Sequence, residues 1–262
     1  MDEKKAVKKA PASGRMTRSC ENLSFAAKEA FKRLRTNVIL RFPDGDDPGH
    51  IIGVTSSQPT EGKSTVAINF AYSLAELGKK VIVLDCDMRK SSVHIKLAME
   101  KSPGLSDLMA GTCNIVNALK KYQSSKSDTS FDVITGGTLP SNPSEILSSR
   151  RMDNLLKTLA SGYDYVILDL PPVGVVTDAV TISPYTDGMI FVLRENNCSR
   201  GLFVDCVTQL KEAKVNILGF VLNGALEGSG KGYGYGKYGK YGSYGKYGSY
   251  GKYGGYGGYG NY

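Results

Sequence analysis

The sequence predicts an α/β domain built on a doubly wound, mostly parallel sheet. Short apolar runs rich in Val and Ile recur between residues 51 and 222. They are apolar on both faces, as strands buried in a parallel sheet must be. Longer stretches of helical composition separate them, and that alternation builds a sheet with helices on both faces. At either end the pattern gives way to polar sequence too poor in apolar residues to bury a core.

Taken in order, residues 1–23 are small, polar and basic, with Pro11 and Gly14 and no periodicity, and are expected to be disordered. A helix is expected from Ala27, because Ala27, Phe31, Leu34 and Val38 place one apolar stripe on a core. Expected strands are 51–55, 81–85, 132–135, 165–169, 189–193 and 217–222, and the main helices 64–77, 144–159 and 201–213. The domain is drawn over residues 24–227. From Gly228 the composition changes to a repeat of tyrosines at a three-residue period: Tyr235, Tyr238, Tyr241, Tyr244, Tyr247, Tyr250, Tyr253, Tyr256, Tyr259 and Tyr262, with Tyr233 just ahead. Gly, Lys and Ser fill most of the gaps, so residues 228–262 are expected to be a flexible tail.

The composition narrows the function classes. The formal charge of +8 is concentrated in the two ends: Lys4, Lys5, Lys8, Lys9, Arg15 and Arg18 in one, Lys231, Lys237, Lys240, Lys246 and Lys252 in the other. No nucleic-acid recognition motif accompanies it, so no specific nucleic acid is expected as a partner. Basic ends also suit an anionic membrane surface. No apolar run reaches the length of a membrane span and no secretory signal opens the chain, so a soluble cytoplasmic protein is expected. Cys20, Cys86, Cys113, Cys198 and Cys206 are scattered without metal-ligand spacing, which reads as free thiols in a reducing compartment.

The chemistry concentrates where strands end. After the first strand comes Ser56-Ser57-Gln58-Pro59-Thr60-Glu61-Gly62-Lys63-Ser64-Thr65, followed by a helix. Amides of such a loop form an anion nest at a helix N-terminus, with Lys63 for the β- and γ-phosphates and the Ser64 hydroxyl for Mg²⁺. Pro59, Thr60, Glu61, Gly62, Lys63, Ser64 and Thr65 are thus the candidate ATP-binding residues. The first Gly of the usual phosphate-loop pattern is Ser57 here. Two more strands end in carboxylates, one at Asp85-Cys86-Asp87-Met88-Arg89 and one at Asp169-Leu170-Pro171-Pro172. In a doubly wound sheet those ends share the ligand-binding edge. Asp85, Asp87 and Asp169 are therefore placed beside Lys63 as catalytic candidates, with Ser64, Asp85 and Asp169 as candidate Mg²⁺ ligands. The fold expected is that of the P-loop NTPases.

These residues resemble the bacterial tyrosine kinases, whose phosphate loop reads Ser-Ser-x-Pro-Gly-Glu-Gly-Lys-Ser. Residues 56–64 match it except that Thr60 replaces a Gly. The family's Asp-x-Asp-x-Arg is matched by Asp85, Asp87 and Arg89, and its Asp-x-Pro-Pro by Asp169, Pro171 and Pro172. The likeness continues through 104–108, 140–147 and 177–179 and spans about residues 25–225. It implies a protein-tyrosine kinase using ATP and Mg²⁺ that phosphorylates the tail of a neighbouring copy, with Tyr233 to Tyr262 as acceptors. It implies an oligomerisation helix carrying Glu29, Lys32 and Arg35, with Lys32 where an Arg is usual, and assembly into a homo-oligomeric ring. It further implies a membrane-anchored adaptor that activates the kinase at the inner face of the plasma membrane, a cognate tyrosine phosphatase, and a role in capsular or exopolysaccharide synthesis and export.

A tyrosine hydroxyl titrates near pH 10, so transfer near neutrality needs a proton acceptor. Asp85 and Asp87 are equal candidates on sequence alone. The main alternative is a partitioning or positioning ATPase switch with a Gly-Tyr interaction tail. Such proteins carry a Lys five residues before the phosphate-loop Lys, and here that residue is Gln58. A self-associating tail on a plain ATPase, or a tail that binds single-stranded nucleic acid through Lys and Tyr, are further readings.

Overall fold

The structure is a computed structural model and describes residues 20–42 and 49–225. Expectations for residues 1–19 and for the tyrosine repeat lie outside the described residues. The chain divides into two units, 1–224 and 225–262.

A helix opens the first unit, α1 (Phe25–Ile39), with Ser24 as its cap: its hydroxyl accepts from Ala27 N at 3.2 Å. There follow β1 (His50–Ser56), α2 (Lys63–Ala75), β2 (Val81–Asp85), α3 (Val93–Lys96), α4 (Leu105–Ala110), α5 (Ile115–Ala118), β3 (Leu119–Gln123) and β4 (Ser130–Ile134). The second half holds α6 (Pro143–Leu147), α7 (Arg150–Ala160), β5 (Tyr165–Asp169), α8 (Asp178–Ile182), β6 (Gly188–Arg194), α9 (Arg200–Glu212) and β7 (Ile217–Asn223). The strands form one sheet in the order β3-β4-β2-β5-β1-β6-β7. Every pairing is parallel except β3 against β4.

Strand alternation divides the core into two layers. Val81 and Val83 of β2, with Tyr165 and Ile167 of β5, pack under α1 and α2, where Phe70 and Leu74 are fully buried and Phe31 and Leu34 partly so. Ile82 and Leu84, with Val166 and Leu168, face the other way onto Leu147, Met152, Leu156 and Leu210 from α6, α7 and α9. The stripe expected on the first helix therefore does face a core. Parity also sets the site: Asp85 continues the series Val81, Val83, and Asp169 the series Tyr165, Ile167. Both carboxylates consequently lie on the side of the sheet covered by α2, whose first residue is Lys63.

The structure corrects the expected elements in four places. The strand β3 was not expected, because Leu-Lys-Lys-Tyr-Gln buries only Tyr122 and pairs antiparallel at the sheet edge. The helix expected over 144–159 is two helices. Ser149 sits between them in extended backbone and caps α7 by accepting from Met152 N at 3.1 Å. The last strand is an edge strand, with Phe220 and Leu222 exposed instead of covered on both faces. Finally, Cys20–Asn22 forms a 3₁₀ turn inside the segment expected to be disordered. Glu21 holds it by accepting from Tyr122 Oη at 2.8 Å, Ser125 N at 2.8 Å and Ser125 Oγ at 2.6 Å.

The Ser125 and Tyr122 donors hold the Glu21 carboxyl down at about 2, against an ordinary 4.5. A depressed carboxylate stabilises the fold above its unfolded pKa and stops doing so as pH falls through the folded one. Glu21→Gln should therefore lower the thermal midpoint slightly at pH 6, with the gap from the parent closing between about pH 4.5 and pH 2. Parallel thermal melts across that range check it.

Candidate active site

The phosphate loop connects β1 to α2 and is braced from inside. The Glu61 carboxylate is fully buried and accepts from Ser57 N at 2.8 Å, Ser57 Oγ at 2.9 Å and Gln58 N at 3.0 Å. Glu61, expected among the nucleotide contacts, thus spends its side chain on folding the loop and offers a nucleotide only its backbone. Asn223 Nδ2 donates to Glu61 O at 2.8 Å and Arg194 Nη1 to Thr60 O at 3.1 Å, so β6 and β7 support the loop from behind. Gln58 donates to the carbonyl of Asn197 in the loop after β6. Gly62 lies at φ +96°, and a Cβ there would strike Asn223 Nδ2. Pro59 and Thr60 are exposed at the tip, and Thr65 is half-buried in the first turn of α2.

Parallel pairing of β2 with β5 puts Asp85 and Asp169 opposite each other as register partners. Both are fully buried. Lys63 Nζ stands 2.7 Å from Asp87 Oδ2 and 3.6 Å from Asp169 Oδ1. The structure therefore gathers Lys63, Asp85, Asp87 and Asp169 as the sequence placed them. Burial alone would depress Lys63, but Asp169 and Asp87 outweigh it and hold the ammonium above its usual pKa. Burial raises the Asp169 carboxyl, with Lys63 opposing. Asp85 is pushed up to about 7, first by burial and then by the Asp169 charge.

Asp85 Oδ1 and both Asp169 oxygens are buried without a hydrogen-bond partner. Such orphans are rare in native structures. They suit Mg²⁺ and the water molecules that travel with it, while the Lys63 ammonium and the loop amides suit the phosphates, so the residues present fit a nucleotide–Mg²⁺ complex. Among the described residues no group of His, Cys, Asp and Glu side chains forms a ready-made metal cage. Mg²⁺ in phosphoryl-transfer sites needs none, since it takes one or two carboxylates plus substrate oxygens.

Other residues complete the site, and the sequence did not single out all of them. Arg89 Nε donates to Asp178 Oδ2 at 3.0 Å and its Nη2 to Ser144 Oγ at 2.9 Å, which ties three of the matched motifs together. Ser91 and Ser92 touch Asp85 and Ser64, respectively. Two serines just ahead of a helix are a cap signature, and that was the available signal. Lys96 is half-buried and lies within electrostatic reach of Asp169 and Lys63. On α1, Glu29 and Lys32 pair with each other at 2.7 Å, and Arg35 turns inward to Ser73 O at 2.6 Å.

A loop of amides and one lysine at a helix N-terminus, next to acidic strand ends, defines a P-loop nucleotide-binding domain. Residues 49–216 match the AAA domain family. The chain is 32% identical over 207 residues to the tyrosine-protein kinase YwqD of Bacillus subtilis, covering 79% of this chain and 85% of that one. It is 34% identical to the tyrosine-protein kinase CpsD of Streptococcus pneumoniae, covering 75% and 84%. Against the tyrosine-protein kinase etk of Escherichia coli the identity is 32%, and this chain spans only 29% of that protein's length. The solved kinase domain of E. coli ETK superposes with a TM-score of 0.74 at 28% identity, covering 87% of this chain and 89% of that one. The cell division ATPase MinD of Pyrococcus furiosus superposes with a TM-score of 0.53 at 26% identity, covering 66% of this chain and 71% of that one. The chain belongs to the bacterial protein-tyrosine kinases.

Two outcomes follow from the site's strain and its buried charge. Thr60 lies at φ +70°, where the family pattern has Gly. A left-handed backbone costs a β-branched residue about 1–2 kcal/mol, and Gly returns about 0.5–1 kcal/mol of that through its freer unfolded chain. Thr60→Gly should raise the urea midpoint by the equivalent of up to about 1 kcal/mol. For Asp85, the folded value of about 7 exceeds the ordinary 3.8, so the native state keeps a proton that the unfolded chain has lost. Stability of the nucleotide-free domain then falls as pH rises through that window. Asp85→Asn should flatten the fall and stabilise the domain at pH 8 by about 1–3 kcal/mol, read from denaturant melts at several pH values.

Proposed function

We propose that this chain is an ATP-dependent kinase that phosphorylates tyrosines of its own C-terminal repeat in a neighbouring copy. The observation that carries the reading is Lys63 held between Asp87 and Asp169, beside buried carboxylate oxygens that accept no hydrogen bond. ATP with Mg²⁺ supplies the phosphoryl group and the cation that neutralises charge during transfer. Lys63 and the loop amides bind the phosphates and offset the charge that builds on them. Ser64 and Asp169 are the residues that would hold the metal.

Asp85 is the better-supported acceptor for the tyrosine proton. It is poised near neutrality and keeps Oδ1 free, whereas Asp87 is bound to Lys63 and also accepts from Lys90 N at 3.0 Å. Glycine between the tyrosines lets successive acceptors reach a site in extended form. Each phosphate adds roughly −1.5 to −2 charges, so a few would reverse the sign of the Lys-rich repeat and loosen an assembly that depends on it. A ring of copies joined through α1 at Glu29 and Lys32, a membrane-anchored adaptor as activator, a cognate phosphatase and a place in capsular or exopolysaccharide export complete the proposal. Among the described residues no helix is long and apolar enough to cross a membrane, which is consistent with recruitment to the membrane by such an adaptor.

Incubation with γ-labelled ATP and Mg²⁺, with and without an adaptor's cytoplasmic segment, tests the reading by mass spectrometry of the tail. Phosphate should appear on tail tyrosines and fall by more than about a hundredfold in Lys63→Ala. Hydrolysis of ATP with an unmodified tail under every condition would instead favour a nucleotide switch with an interaction tail.

A further inference from the structure

The loop leaving β2 holds two hydroxyls for which the proposed transfer has found no use. Ser92 occupies the N-cap of α3, where a serine ordinarily spends its hydroxyl on the helix's own amides. Here it makes no cap bond, and its Oγ donates across the fold to Ser64 Oγ at 2.9 Å. The capping is done by Asp85, whose Oδ2 accepts from Ser92 N and Val93 N, each at 3.1 Å. Ser91 Oγ donates to the same oxygen at 2.7 Å. All three donors converge on Oδ2, and Oδ1 is left bare. The carboxylate is thereby fixed in rotation, with one oxygen saturated and one open.

Ser91 Oγ also lies 3.2 Å from His94 Nδ1. A hydroxyl has one proton, and the shorter contact to the carboxylate takes it. Ser91 must then accept from His94, which assigns the imidazole hydrogen to Nδ1. Donation from Ser92 likewise occupies one lone pair of Ser64 and leaves the other available.

We propose that Ser91 and Ser92 are positioning residues of the nucleotide site: Ser91, backed by His94, aims Asp85 Oδ1, and Ser92 sets the free lone pair of Ser64 for a divalent cation. This rests on the reading above, in which Asp85 and Ser64 face nucleotide and metal. Neither serine touches the reacting atoms, so the effects belong to those of outer partners, which typically change affinity or activity by tenfold or more.

Three measurements on the full chain test it. Nitrogen-15 NMR of the nucleotide-free protein should show His94 protonated at Nδ1, with that tautomer lost in Ser91→Ala; protonation at Nε2 in the parent overturns the Ser91 arm. Titration of a fluorescent ATP analogue should need at least about tenfold more Mg²⁺ for half-saturation in Ser92→Ala, with Mg²⁺-free binding within about twofold of the parent. An unchanged Mg²⁺ midpoint overturns the Ser92 arm. Tail phosphorylation by Ser91→Ala should lose roughly tenfold in kcat with KM for ATP within about twofold, and Ser91→Thr should restore most of it. Equal loss in Ser91→Ala and Ser91→Thr means a packing role and overturns the assignment. Activity surviving in Lys63→Ala would fault the underlying site reading, whereas a dead Lys63→Ala beside unaffected serine variants faults this inference alone. The NMR and binding arms need no kinase reaction.

Discussion

Two carboxylates set side by side in a parallel sheet are the constraint around which this domain is organised. The register that pairs β2 with β5 makes Asp85 and Asp169 direct neighbours at the strand ends, both out of water. Like charges in such a place are costly, and a single lysine between Asp87 and Asp169 offsets only part of that cost. The domain tolerates the arrangement because its stability comes from elsewhere. Each side chain buried as completely as Phe70, Leu84 or Ile167 contributes about 1.5–3 kcal/mol, and the two layers of the core hold many of them. The nucleotide edge is thus a local deficit carried by a well-packed sheet.

The phosphate loop shows the same division between support and chemistry. Its amides can point at a ligand only because something else fixes the curvature of the chain behind them. That support comes from within the loop through Glu61 and from the far half of the sheet through Arg194 and Asn223. Preorganisation of this kind means that donors need not reorganise when charge develops. It also makes the loop sensitive to positions well outside the motif, since β6 and β7 supply two of its anchors.

Much of this was legible in the sequence because the signals were local. Val81-Ile82-Val83-Leu84-Asp85 can hardly be other than a buried strand ending in a carboxylate, and the glycine and lysine at the start of α2 mark an anion site. What escaped depended on contacts that no periodicity or motif announces. The strand β3 carries two lysines and one buried tyrosine, and becomes a strand only because β4 offers an edge. Glu61 reads as a nucleotide contact by position, while its role is set by the amides of Ser57 and Gln58 folding over it. Arg35 reads as a surface residue of an oligomerisation helix, yet it turns to a carbonyl of α2. The break between α6 and α7 was a matter of one serine, legible as a cap only once the extended backbone at Ser149 was known.

The last strand ends at the phosphate loop, not at a remote edge of the domain. Asn223 is both the final residue of β7 and the clamp on Glu61, and the second unit of the chain begins two residues later, at Ala225. The nucleotide loop is thus shaped by residues more than a hundred positions away in the chain, and its form is fixed only once the final strand has joined the sheet.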